Sequence, residues 1–203
     1  MPLSKQKLIL FIISLLPLAW MVVGLVTNQL GANPIETVTR DSGLWALRFL
    51  CLTLAITPIR WWLDINLVPF RRMLGLYVFF YASLHMLLYL GLDQFFDFSE
   101  IVKDIIKRPF ITIGFFTYSA LIPLAITSNN KMVKRLGGRR WKKLHRLTYF
   151  IAIASTVHFY MLVKQDKVEP LLYATIVGAL LLPRLYRFFQ SRMSQNKVIT
   201  VTK

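Results

Sequence analysis

Apolar residues in this chain are gathered into runs close to 20 residues long. At ~1.5 Å per residue such a run spans the hydrocarbon core of a bilayer, whereas soluble domains break their apolar residues into short periodic stretches. Six membrane spans are predicted, at about 8–27, 43–59, 73–92, 110–127, 145–163 and 170–188. The expected fold is therefore an all-α, six-helix transmembrane bundle forming one domain over 1–203. The first run follows Lys5 and Lys7 as a signal peptide would, but it is too long for a signal core and reads as a spanning helix. Between the spans there is no room for a soluble nucleotide-binding domain.

The formal net charge of +16, from 25 Lys and Arg against nine Asp and Glu, would suggest nucleic acid in a soluble protein. The positions of the charges exclude it. Eighteen of the 25 bases fall on the N-terminal side of the spans, with Asp64 as the one acid there. The opposite side carries six bases and the other eight of the nine acids. By the positive-inside rule both termini are expected in the cytoplasm, with the basic face against anionic lipid. On the acidic side, the pattern from Asp93 to Arg108 predicts an amphipathic helix lying at the outer interface. A lone Cys51 excludes an intrachain disulfide.

Ionisable residues inside a span are costly, and they are functional candidates for that reason. His85 lies 13 residues after Arg72, and His158 lies 12 after Arg146, on helices that both run outward. The two imidazoles thus reach the same depth, about two-thirds of the way to the outer surface. Two imidazoles at matched depth on two helices can hold one heme iron from opposite faces. His145 sits 13 residues before His158, at the cytoplasmic edge. An ideal helix would turn these two rings about 140° apart, so facing one partner helix would require a π-bulge or an irregular start near Leu144. The residue at His145's depth on the third span is Arg72, which is not a normal heme ligand.

Arg48, inside the second span near its outer end, is a candidate partner for a heme propionate; the alternative is snorkelling to the interface. Tyr77, Tyr81, His85 and Tyr89 repeat at i+4 and share one helix face, which suits either cofactor lining or helix packing. No dinucleotide fingerprint or phosphate loop is present, and no carboxylate lies deep in a span. If the chain is redox-active, its electrons come from another protein, a flavin or a quinol.

Several local motifs accompany these histidines: Pro69-Phe70-Arg71-Arg72-Met73-Leu74-Gly75, Tyr81-Ala82-Ser83-Leu84-His85 and Trp141-Lys142-Lys143-Leu144-His145-Arg146-Leu147-Thr148-Tyr149. Thr57-Pro58 closes the second span, and Arg108-Pro109-Phe110-Ile111-Thr112, followed by Gly114, opens the fourth. Over nearly its whole length the sequence resembles the ferric-reductase-like membrane domain family, whose hemes are held by histidine pairs on two helices. Its length, with no attached flavin domain, is similar to that of heme-binding subunits of bacterial methionine-sulfoxide repair systems.

The resemblance implies a multi-pass protein of the bacterial inner membrane. It implies b-type heme, one or two per chain, held by His85, His158 and His145, and also FMN. It further implies a relay from a cytoplasmic flavin reductase or quinol to a periplasmic molybdopterin methionine-sulfoxide reductase, with the chain as electron-transport rather than catalytic subunit. Larger relatives carry a second histidine where this chain has Arg72. Two other readings stand beside the relay: a self-contained ferric or other metalloreductase or quinol-oxidising cytochrome b, and a histidine-based proton or metal transporter.

Overall fold

Several helices begin where the capping chemistry of the sequence places them. In the computed structural model, which describes the backbone of residues 3–201 and the side chains of 3–190 and Met193, no strand occurs among the described residues. Arg192, Lys197 and Lys203, part of the charge tally, lie outside the described side chains. Helix α1 is Leu3–Val26 and α2 is Pro34–Trp62. Asn33 caps α2 by accepting from the Glu36 amide, with Pro34 fitting the first helical position, where no amide is needed. Helix α3 (Arg71–Leu88) continues into a π-helical turn at Tyr89–Asp93. Helix α4 (Phe98–Lys107) is the expected amphipathic segment, capped by Asp97 through the Ser99 and Glu100 amides.

Helix α5 (Pro109–Ile126) is followed by two short helices, α6 (Asn130–Leu136) and α7 (Gly138–His145). Between these two, Gly137 takes a φ of +74°, which a side chain would strain. Helices α8 (Leu147–Leu162) and α9 (Val168–Val201) complete the chain.

Among the described residues, five segments are long and apolar enough to cross a membrane: Leu3–Val26, Pro34–Trp62, Val68–Asp93, Pro109–Ile126 and Val168–Gln190. They overlap five of the six expected spans. The remaining one corresponds to α8, which is apolar throughout but has 16 residues. The outward surface is apolar, with Leu8, Ile12, Leu16 and Trp20 exposed on α1 and Leu171 and Leu182 on α9. That is the surface a lipid-facing helix presents, since its backbone is satisfied internally.

The core forms where α2 packs on α3, α5 on α8, and α8 on α9. Phe49 of α2 stacks on Tyr77 (5.4 Å) and Tyr81 (5.3 Å) of α3. Both tyrosines then reach α1. Tyr77 Oη donates to the Phe11 carbonyl at 2.9 Å. Tyr81 Oη donates to the Ser14 carbonyl at 2.7 Å and accepts from the Leu18 amide at 3.2 Å. A hydroxyl thus stands inside the helical ladder of α1 beside Pro17, a side-chain insertion of the kind that bends helices. Half of the i+4 tyrosine stripe is accordingly helix packing.

Candidate functional site

His85 of α3 and His158 of α8 face each other across a cavity of about 780 Å³ bounded by α2, α3, α5 and α8, with α4 at its outer end. Their ring centres are 6.3 Å apart and their planes cross at 79°. The equal depth read from the sequence thus becomes direct opposition.

Each ring is held in the same way. His85 Nδ1 donates to the Thr39 carbonyl at 2.7 Å, and His158 Nδ1 donates to the Phe110 carbonyl at 2.6 Å. A carbonyl only accepts, so the proton of each neutral ring is on Nδ1 and the lone pair on Nε2 is free for a metal. Neither Nε2 makes a hydrogen bond among the described residues.

Four residues after each accepting carbonyl stands a glycine with the ring lying against it. A Cβ at Gly43 would be 3.0 Å from His85 Nδ1, and one at Gly114 would be 2.8 Å from His158 Cε1. The carbonyl four residues before a helical position is the one its own amide bonds. Each imidazole therefore crosses a bare backbone to share the carbonyl of that turn. The sequence motifs include Gly114 but assign neither glycine a role at the site. Their signal was positional: Gly43 opens the second expected span, and Gly114 follows the Arg108–Thr112 motif.

The inner part of the cavity is apolar, with Leu47, Leu50, Val78, Ala82, Leu121 and Ile151 among its lining residues. The outer part carries charge and hydrogen-bonding groups, including Arg40, Arg108, Lys164, Glu36, Asp93 and Gln94. Tyr89 lines it too, in the widened π-helical turn, and donates to Asp104 at 3.3 Å. A few placed polar groups at one end of an apolar hollow fit an amphiphilic ligand.

The other two expected site residues stand apart from this cavity. Arg48 donates through Nε to Tyr173 Oη at 2.9 Å and lies over the Trp45 ring at 4.6 Å. It is not among the residues lining the cavity; Arg40, Arg108 and Lys164 are the cations that do so. His145 closes α7 and is not among the residues lining the cavity. Its Nε2 is 3.1 Å from Thr127 Oγ1, and its ring stacks on Trp141 at 3.9 Å. Because Thr127 donates to the Pro123 carbonyl, its hydroxyl accepts from His145, which places the proton of the neutral ring on Nε2. The helix is interrupted here, as α7 ends at His145 and α8 begins at Leu147. Arg72, the residue at His145's expected depth, donates instead to Asn130 at 2.7 Å.

The site fits a heme group by its own chemistry. Two metal–nitrogen bonds of about 2 Å, each extended by roughly 1 Å to the ring centre, add to about 6 Å, close to the observed separation. Among the described residues two imidazoles converge here, as would suit an iron whose remaining positions are filled by porphyrin. Among the described residues no group of three or more His, Cys, Asp and Glu is arranged to hold a bare ion.

Comparison with known proteins gives the following. The family described as "Ferric reductase like transmembrane component" matches residues 42–156, which contain His85, His145, Gly43 and Gly114. The chain is 52% identical to the protein-methionine-sulfoxide reductase heme-binding subunit MsrQ of Herminiimonas arsenicoxydans, over 96% of this chain and 90% of that protein. It is 48% identical to the MsrQ of Rhodospirillum rubrum, over 93% and 91% respectively. It is 49% identical to that of Brucella ovis, over 88% and 81%. No solved structure matches the chain.

Proposed function

This chain belongs to the ferric-reductase-like transmembrane family, and from that premise we propose that it is an electron-transfer subunit holding b-type heme between His85 and His158. The observation that carries the reading is the opposed pair of imidazoles with both Nε2 atoms free, 6.3 Å apart by ring centre. The names of its relatives, which are heme-binding subunits of a protein-methionine-sulfoxide reductase, support it.

In this reading the whole chain is one heme-binding membrane domain, and α8 is a sixth crossing. The basic loops and both termini lie in the cytoplasm of a bacterial inner membrane. Heme supplies one-electron oxidation and reduction at its iron. The residues of the chain do the rest. Thr39 and Phe110 fix the ligand tautomers, Gly43 and Gly114 give the rings room, and the apolar inner wall excludes water. Arg40, Arg108 and Lys164, which line the cavity, would hold the carboxylates of the heme, while Arg48 joins α2 to α9 through Tyr173. A second heme, at His145, would take Nδ1 as its ligand, because Nε2 is engaged by Thr127.

The donor is a cytoplasmic flavin reductase or a quinol, and the acceptor is a periplasmic molybdopterin methionine-sulfoxide reductase. FMN, implied by family resemblance, would find basic residues for its phosphate at Arg71 and Arg72, which open α3, and at Arg139–Arg146, along α7 and its C-cap. A self-contained metalloreductase would reduce ferric chelates without a protein acceptor.

The test is a dithionite-reduced minus oxidised spectrum of purified protein. The wild type is expected to show b-type bands, and His85→Ala and His158→Ala are each expected to lose them. A colourless wild type overturns the reading and favours a transporter.

A further inference from the structure

Pro58 sits inside α2 and has no amide to give the carbonyl one turn back, that of Leu54. Arg184 of α9 takes the place of that amide. Its Nη2 donates to the Leu54 carbonyl, while its Nη1 donates to the Leu180 carbonyl of its own helix. One turn further along α2, Arg71 of α3 donates through Nη2 to Thr57 Oγ1 at 2.8 Å. Leu54, Thr57 and the exposed Arg60 follow one another at i+3 and so lie along one strip of α2. The Arg184 guanidinium also stands 5.9 Å from the Tyr149 ring of α8.

The same ends of α2, α3, α8 and α9 therefore meet here, and all but α8 bring a cation. Arg71 and Arg184 are close enough to repel each other, and Arg60 repels Arg71 in turn. Among the described residues no carboxylate pairs with them. The ion pairs there are Lys103–Glu100 and Arg108–Asp104, on α4 and its C-cap. A guanidinium carries more N–H donors than these bonds use, so Arg71 and Arg184 keep donors for a ligand. Clustered guanidiniums with spare donors and no carboxylate match a phosphate group, whose oxygens accept in pairs.

The surroundings decide which phosphate. Thr57, Arg71 and Arg184 all belong to segments long and apolar enough to cross a membrane. Phe150, next to Tyr149, and Leu182 and Leu185, flanking Arg184, are exposed as lipid-facing side chains are. Acyl chains have apolar surface beside the cations, which a soluble phosphate does not require. Basic sites between transmembrane helices take anionic headgroups. We propose that Arg71 and Arg184, with Arg60 adding charge, hold the phosphate of an anionic phospholipid. The lipid neutralises a cluster that the proline break in α2 helps to draw together. The proposal stands apart from the heme reading.

The test is native mass spectrometry of the full chain in detergent, titrated with phosphatidylglycerol or with phosphatidylcholine of the same acyl chains. Wild type is expected to bind phosphatidylglycerol more tightly. Arg71→Gln and Arg184→Gln are each expected to bind it roughly tenfold more weakly, the size of one charge-assisted hydrogen bond. Arg135→Gln, which removes an exposed cation of α6, is expected to match wild type. Arg184→Gln also strips the Leu54 carbonyl of its donor. Arg71→Gln leaves that bond in place, and it carries the test if Arg184→Gln fails to fold. Equal affinity of wild type for the two lipids overturns the proposal, as does Arg71→Gln at wild-type affinity. So does an Arg135→Gln protein that weakens as much as Arg71→Gln, since that marks diffuse attraction to a basic face. FMN and inorganic phosphate are added as competitors. Displacement of phosphatidylglycerol by either at equal concentration assigns the cations to a soluble phosphate and overturns the lipid site.

Discussion

The imidazole of His158 lies so close to Gly114 that a Cβ at that glycine would stand 2.8 Å from Cε1 and 3.0 Å from Nδ1. Helix α5 thereby acts on the ligand of α8 twice, through an absent side chain at Gly114 and through the Phe110 carbonyl one turn earlier.

Gly114→Ala is expected to displace the ring and weaken heme retention. Overpacking costs about 1–3 kcal/mol, and each ~1.4 kcal/mol is tenfold in affinity, so the loss is roughly 5- to 150-fold. Gly43→Ala acts the same way on His85. Gly75, where an added Cβ would meet nothing within 4 Å, is the control. Heme titration of the three alanine variants checks this, and equal affinities would refute it.

Tyr81→Phe removes the hydroxyl that bridges the Ser14 carbonyl and the Leu18 amide. With those groups buried and one bond short, stability falls by about 1–3 kcal/mol. The heme bands stay unchanged, because the aromatic ring still packs on Phe49. Thermal unfolding in detergent, followed beside the heme spectrum, separates the two effects.

Arg48→Gln breaks the bond to Tyr173 and removes the cation from Trp45. It is expected to lower thermal stability and to leave the heme midpoint potential at the wild-type value. Arg108→Gln, which removes a cation from the cavity wall, is expected to lower the potential. Redox titration of both variants decides which arginine serves the cofactor.

His145→Ala is expected to leave heme per chain at the wild-type value, because the bound group depends on His85 and His158. Pyridine hemochrome analysis measures this directly. A fall from two equivalents to one would instead place a second heme at His145.

Reporter fusions at either end test the topology. Both termini are expected to give a cytoplasmic signal, which requires α8 to cross as a sixth span. Opposite signals at the two ends would leave α8 buried without crossing.

Much of this protein was legible from the linear sequence, for local reasons. Hydrophobic run length gave the helices, because a spanning segment must satisfy its own backbone over a fixed thickness. Expected spans such as 73–92 and 110–127 coincide closely with Arg71–Leu88 plus its π-helical turn and with Pro109–Ile126. Counting residues from Arg72 and Arg146 was enough to put His85 and His158 at one depth, since rise per residue is constant along a helix.

Rotation and neighbours were not legible, because they depend on which helix faces which. Nothing local in the sequence says that Arg48 meets Tyr173, 125 positions away. Nothing local says that Tyr77 and Tyr81 reach α1, while His85 and Tyr89 on the same stripe line the cavity. The tautomer of each histidine was likewise out of reach, since it is fixed by a carbonyl on another helix, at Thr39 for one and Phe110 for the other. Linear pattern alone specifies an all-helical membrane chain with two imidazoles at one level. The packing of α2 against α3 and of α5 against α8 turned that level into a site, because a bond to a metal needs a ring aimed and deprotonated at one nitrogen, and both conditions are imposed from across a helix interface.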